Sequence, residues 1–136
     1  MRMFVSSQAV DRTPASLLIA RGRALGWTIS HSPSNPLDAD DPRWAGWYDR
    51  GLAEALADTE AFVAVIDEVW DSSTWMAIEA EEARRMGQPS LRCYSWNPNA
   101  VPVKALGMKK YVEVPLPQNL DAAVAVLEAD RTSRCS

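Results

Sequence analysis

Short apolar runs alternate with longer stretches in which apolar residues recur every three or four positions. Met3-Phe4-Val5-Ser6 reads as a short buried strand. Asp11-Arg12-Thr13-Pro14 follows, with Thr13 as a helix cap and Pro14 as the first helical residue. That helix carries Leu17, Leu18, Ala24 and Leu25 on one side and stops at Gly26. Trp27 to Ser30 reads as a second strand, and His31 to Asp41 as a polar loop without periodicity. Asp41-Pro42 opens a second helix with an apolar stripe of Trp44, Trp47, Tyr48, Gly51, Leu52, Ala55 and Leu56. Ala61-Phe62-Val63-Ala64-Val65-Ile66 is apolar throughout, as a central parallel strand buried on both faces is. The pattern then predicts a helix from Ser73 to Met86, a strand from Ser90 to Tyr94, a strand from Lys110 to Val114 and a helix from Asn119 to Ala129.

Strands alternating with helices define an α/β domain, here a flavodoxin-like five-stranded parallel sheet flanked by helices. The expected domain covers residues 1–130, with 131–136 as a short polar tail. Ligands of such sheets bind outside the carboxyl ends of the strands. Those ends are Ser6-Ser7, Ser30-His31, the loop Asp67 to Ser72, and the loop after Tyr94.

The helix predicted over 73–86 carries one residue of the wrong polarity. With Met76 at zero and about 100° per residue, Ala80 falls near +40°, Ala83 near −20°, Met86 near −80° and Trp75 near −100°. Glu79 falls near −60°, inside that apolar stripe, whereas Glu81, Arg84 and Arg85 lie on the other side. A carboxylate facing a sheet is costly unless it is paired or functional. Its position in the second turn puts it near the positive end of the helix dipole. The alternative is a structural partner such as Arg2 or Arg12 across the sheet edge.

Composition narrows the chemistry. Of 136 residues, 47% are hydrophobic and 24% charged, the balance of a folded globular domain. The net charge of −4 lacks the basic footprint of a nucleic-acid binder. No apolar run is long enough to span a bilayer. Met1 to Ser7 does not read as a secretory leader, and the two cysteines, Cys93 in an apolar run and Cys135 in a polar tail, are poorly suited to a disulfide. The expectation is a reduced, cytoplasmic protein without a membrane or nucleic-acid partner. His31 is the single histidine, which argues against a histidine-rich metal site or a Ser-His-Asp triad. No metal and no bound cofactor are expected. Tryptophan is over-represented, with six against three Tyr and two Phe. Trp27, Trp44 and Trp47 read as packing. Trp70, Trp75 and Trp96 are expected around one pocket at the carboxyl edge of the sheet.

The segment from Val65 to Glu79 resembles the core of a TIR (Toll/interleukin-1 receptor) domain. It has an apolar strand, a short loop, and then Ser73-Thr74-Trp75 with Glu79 four residues after the Trp. Ala83, Gly87 and Pro89 continue the family's rhythm, and Phe4-Val5-Ser6-Ser7 with Asp11 is similar to its opening. The resemblance covers roughly the first 95 residues. It departs at His31-Ser32-Pro33-Ser34-Asn35-Pro36, which does not match the family's second-strand loop. Enzymatic TIR domains cleave the nicotinamide–ribose bond of NAD, and Glu79 matches their catalytic glutamate. The implied chemistry is sound, because a carboxylate stabilises an oxocarbenium-like transition state. The nicotinamide of NAD is already cationic and leaves without a proton. The resemblance therefore implies an N-glycosidase with NAD as candidate substrate. Glu79 is the catalytic candidate, and Ser6, Ser7, Asp67, Trp70, Asp71, Ser73 and Trp75 are candidate substrate contacts. The implied partners are a nucleotide and either a second copy or another TIR-like chain.

Nucleoside 2-deoxyribosyltransferases and related nucleotide N-glycosidases are similar as well. Their Asp-x-Gly-Thr-x-x-Glu pattern corresponds to Asp71-Ser72-Ser73-Thr74, but Glu79 comes two residues late and Ser73 stands for the Gly. A third reading is a non-catalytic TIR-type signalling module or nucleotide sensor. The first strand is followed by Ser6-Ser7-Gln8-Ala9-Val10 without glycine, which disfavours a dinucleotide or P-loop fingerprint.

Overall fold

In the computed structural model of the chain, residues 1–7, 14–31, 52–57, 59–66, 91–100 and 114–135 are described. They form strands β1 (Arg2–Ser6), β2 (Thr28–His31), β3 (Ala61–Val65), β4 (Arg92–Trp96) and β5 (Val114–Pro115). The helices among them are α1 (Ala15–Ala24), α2 (Leu52–Ala57) and α3 (Leu120–Cys135). The strands make one sheet in the order β2-β1-β3-β4-β5, and every pairing is parallel. This is the flavodoxin-like order expected from the alternation of elements. All five residues of β3 are buried, which fits its place between β1 and β4. The helix expected over 73–86 lies outside the described residues, as do Trp44 and Trp47.

Side chains alternate between the two faces. Met3, Val5, Ile29, Val63, Val65, Tyr94 and Trp96 share one core with α1 and α3. Leu18 and Ile19 come from α1, and Ala123, Val124 and Leu127 from α3. The opposite face carries Phe4 and Phe62, whose rings stack with centroids 5.8 Å apart and 2° between planes. Glu54 and Ala55 of α2 lie beside Thr28, Ser30 and Arg2 on that second face.

The junction from α1 to β2 is fixed by its glycines. Gly26 takes a φ of +86°, the left-handed conformation that follows many helices. The Gly26 N–H donates to Arg23 O at 3.0 Å, and the Trp27 N–H to Gly22 O at 3.0 Å. This pair of bonds is a Schellman motif, and it satisfies two carbonyls that the helix end would leave open. Gly22 sits where the Trp27 ring folds back. A Cβ there would meet Trp27 Cε3 at 2.5 Å and Ile29 Cδ1 at 2.7 Å.

Four boundaries differ from the sequence expectation. Pro14 is the capping residue, not the first helical one, because its carbonyl receives the N–H groups of Leu17 and Leu18. Thr13, the expected cap, lies outside the described residues. His31 closes β2 instead of opening a loop, paired with Val5. β4 is displaced by two residues, since the Ile66 N–H donates to Trp96 O at 2.8 Å and extends the pairing to Trp96. The segment read as a polar tail continues α3. Thr132 Oγ1 donates to Glu128 O at 2.9 Å, and Arg131 pairs with Glu128 one turn back.

Candidate functional site

The order β2-β1-β3-β4-β5 places the topological switch point between β1 and β3. From β1 the chain moves outward to β2, and it re-enters on the other side of β1 as β3. A crevice outside the carboxyl ends of these two strands is the expected ligand position in such sheets. Ser6 and Ser7 end β1 there, and both are buried. Ser6 is in register with Ala64. Ile66 follows β3 at the same edge and is tied to β4 through Trp96 O. Two sequence candidates, Ser6 and Ser7, are thus brought to the switch point. Asp67, Trp70, Asp71, Ser73, Trp75 and Glu79 lie outside the described residues, downstream of Ile66 in the chain.

Trp96 is a correction. It does not belong to a loop around a pocket at this edge. It is the last residue of β4 and is 1% exposed, within the core formed with α1 and α3. Its indole N–H donates to Gln118 O at 3.1 Å, so its polar atom serves the approach to α3. The sequence obscured this because β4 runs two residues further than its apolar run. Trp27 is packing, as expected, at 4% exposure. Cys93 is only half-buried, so it is less enclosed than an apolar run implied.

Sequence reasoning passed over Ser95. Arg92, Tyr94 and Trp96 alternate with Cys93 and Ser95, which sends the small side chains to the face opposite α1 and α3. Ser6, Ala64 and Ser95 are in register across β1, β3 and β4 and are all buried. The signal was the alternation of large and small residues through Trp96. Beyond β4, residues 97–100 form a turn in which the Ala100 N–H donates to Asn97 O at 3.3 Å. Ala100 holds a φ of +50°, a sparsely populated conformation for a residue with a Cβ.

A cleft of about 100 Å³ opens at the other end of the sheet. Arg2, Thr28, Ser30, Glu54 and Thr59 line it. Arg2 and Thr28 begin their strands, so this cleft lies at the amino edge, away from Ser6 and Ser7. The Thr59 hydroxyl already donates to Ala55 O at 2.7 Å. Among the described residues, no cluster of three His, Cys, Asp or Glu side chains is arranged to hold a metal ion. Among them too, no helix is long and apolar enough to cross a membrane.

The clearest electrostatic arrangement holds α3 to the sheet. The Glu128 carboxylate accepts from Arg131 at 3.0 Å and from the Trp27 indole N–H. The Arg131 bond, then the Trp27 bond, hold Glu128 below its ordinary value of 4.5. Asp130 accepts from Arg92 at 3.0 Å and from the Tyr94 hydroxyl. These contacts stand on the α1–α3 side and are structural.

No family model matches the chain, and no curated protein matches it.

Proposed function

We propose that the chain is a TIR-like nucleotide N-glycoside hydrolase, with the nicotinamide–ribose bond of NAD as its first candidate substrate and Glu79 as its catalytic carboxylate. The observation that carries this reading is Ser73-Thr74-Trp75 with Glu79 at family spacing, downstream of a strand at the switch point of the sheet. Topology lends support. α1 covers one face while the chain steps from β1 to β2. The step from β3 to β4 runs the opposite way across the sheet. Ser6 lies on the face opposite α1 and α3, at the carboxyl end of β1. Ser6, Ser7, Asp67, Trp70, Asp71, Ser73 and Trp75 are the substrate contacts in this proposal.

The chemistry asks for one carboxylate. The bond between ribose C1′ and the nicotinamide nitrogen breaks, and its electron pair leaves with the now neutral nicotinamide. Positive charge develops over C1′ and the ring oxygen, and Glu79 stabilises it. Water then adds to C1′ and loses a proton to solvent. Incubation with NAD should release nicotinamide. Glu79→Gln should lower the rate by about 10²–10³, the usual cost of losing one such electrostatic group. Release of base from nucleoside monophosphates but not from NAD would favour the deoxyribosyltransferase-like reading. Binding of ADP-ribose without any base release would favour the non-catalytic sensor.

A further inference from the structure

The cleft at the amino edge of the sheet has no part in the reaction above. Arg2, Thr28, Ser30, Glu54 and Thr59 supply its polar lining, and every residue that lines it is described. Arg2 and Thr28 are in register at the start of β1 and β2. Ser30 stands two residues further along β2, so the three share one face of the sheet. Glu54 reaches the cleft from α2, on the other wall. Opposite charges thus line one space, yet they do not close on each other. Among the described residues, Glu54 makes no ion pair or hydrogen bond. Arg2 is already in contact with a neighbour, but a guanidinium carries five N–H donors. Thr59 is buried, and its hydroxyl proton is committed to Ala55 O at 2.7 Å. Its oxygen therefore only accepts from any further group.

We infer that this cleft is a second binding site, which takes a small α-amino acid as its zwitterion, with the ligand carboxylate on Arg2 and the ligand ammonium on Glu54. A guanidinium holds a carboxylate through two parallel N–H donors. An ammonium group has three donors, and the Glu54 carboxylate and the hydroxyl oxygens of Thr28, Ser30 and Thr59 are acceptors for them. Size restricts the ligand further. The volume of about 100 Å³ far exceeds the ~10–15 Å³ that one water needs and is well below the ~300 Å³ at which drug-sized pockets begin. It suits a molecule of a few heavy atoms. The inference does not rest on the nucleotide reading, whose site is at the carboxyl edge.

The test is a titration of the full chain with alanine, followed by the backbone amide signals of Thr28, Ser30, Ala55 and Thr59 in nitrogen–proton correlation spectra. Acetate and ethylamine, which carry one charge each, are the controls. Alanine should shift these signals in a saturable way, and each control should bind more weakly. Glu54→Gln and Arg2→Gln should each weaken alanine binding about threefold to tenfold, the worth of one hydrogen bond. Both positions are exposed, and circular dichroism confirms that the variants fold. The absence of a saturable shift in wild type would overturn the inference and leave the cleft to water. Equal binding of acetate or ethylamine would overturn it too, as would unchanged affinity for alanine in both folded variants.

Discussion

Gly22 and Gly26 stand four residues apart and are glycine for different reasons. At Gly26 there is open space around a Cβ, and the constraint is the backbone at φ +86°. At Gly22 the constraint is crowding by the Trp27 and Ile29 side chains. Gly22→Ala should lower stability by about 1–3 kcal/mol, since an overpacked site must shift a ring. The higher helix propensity of alanine recovers at most about 1 kcal/mol of this. Urea denaturation checks it, and a Gly22→Ala variant as stable as wild type would mean that Trp27 is not held against Gly22. From sequence, Gly26 was legible as a helix stop, but Gly22 was not, because its neighbour in space is five residues ahead across the turn. Ser95 was missed for a related reason. Its meaning comes from Ala64 and Ser6 on neighbouring strands, and a single-chain pattern carries no register.

At the scale of elements, α3 shows how a helix is started and held. Asn119 Oδ1 accepts the Ala122 N–H at 3.2 Å, an ordinary side-chain cap. Asn119→Ala should lower stability by about 0.5–2 kcal/mol, read from the urea midpoint. The Arg21–Asp121 pair is 46% and 73% exposed, so it contributes at most about 1 kcal/mol. Buried Ala123, Val124 and Leu127 contribute the larger share. Glu128 adds a pH dependence. Its carboxylate is held below its ordinary 4.5 in the folded chain, first by Arg131 and then by Trp27. The stability it contributes is therefore present above about 4.5 and is lost as pH falls through the lowered folded value. Wild type should be more stable than Glu128→Gln at pH 7, with the gap closing below pH 4.5. A gap that persists at low pH would show that packing, not charge, links Glu128 to Trp27. The strands were the most legible elements, since their apolar runs are continuous. Ends were less so. Trp96 extends β4 through a bond to Ile66, and α3 passes the polar residues near 130 because Arg131 and Thr132 bond back to Glu128.

For the whole molecule, the alternation of strand and helix was enough to name the fold class, and the parallel sheet in order β2-β1-β3-β4-β5 agrees with it. The order also sets where a ligand is expected, because among the described strands the β1–β3 junction is the switch point. The chain pattern assigns Ser6 and Ser7 to that edge, and they are found there. The tryptophan excess resolves in part. Trp27 and Trp96 are core residues, and their N–H groups serve α3 and the approach to it. Trp70 and Trp75 stay in the proposal, in a segment outside the described residues. Glu79 was singled out by polarity within a helical stripe, a signal that needs no tertiary contact.

In the proposed reaction one carboxylate, Glu79, carries an N-glycosidic cleavage. The most direct measurement is nicotinamide release from NAD by wild type and Glu79→Gln side by side, with circular dichroism to show equal folding. Wild type should release nicotinamide, and the variant should do so about 10²–10³ more slowly. Equal release by two equally folded proteins would contradict this role of Glu79.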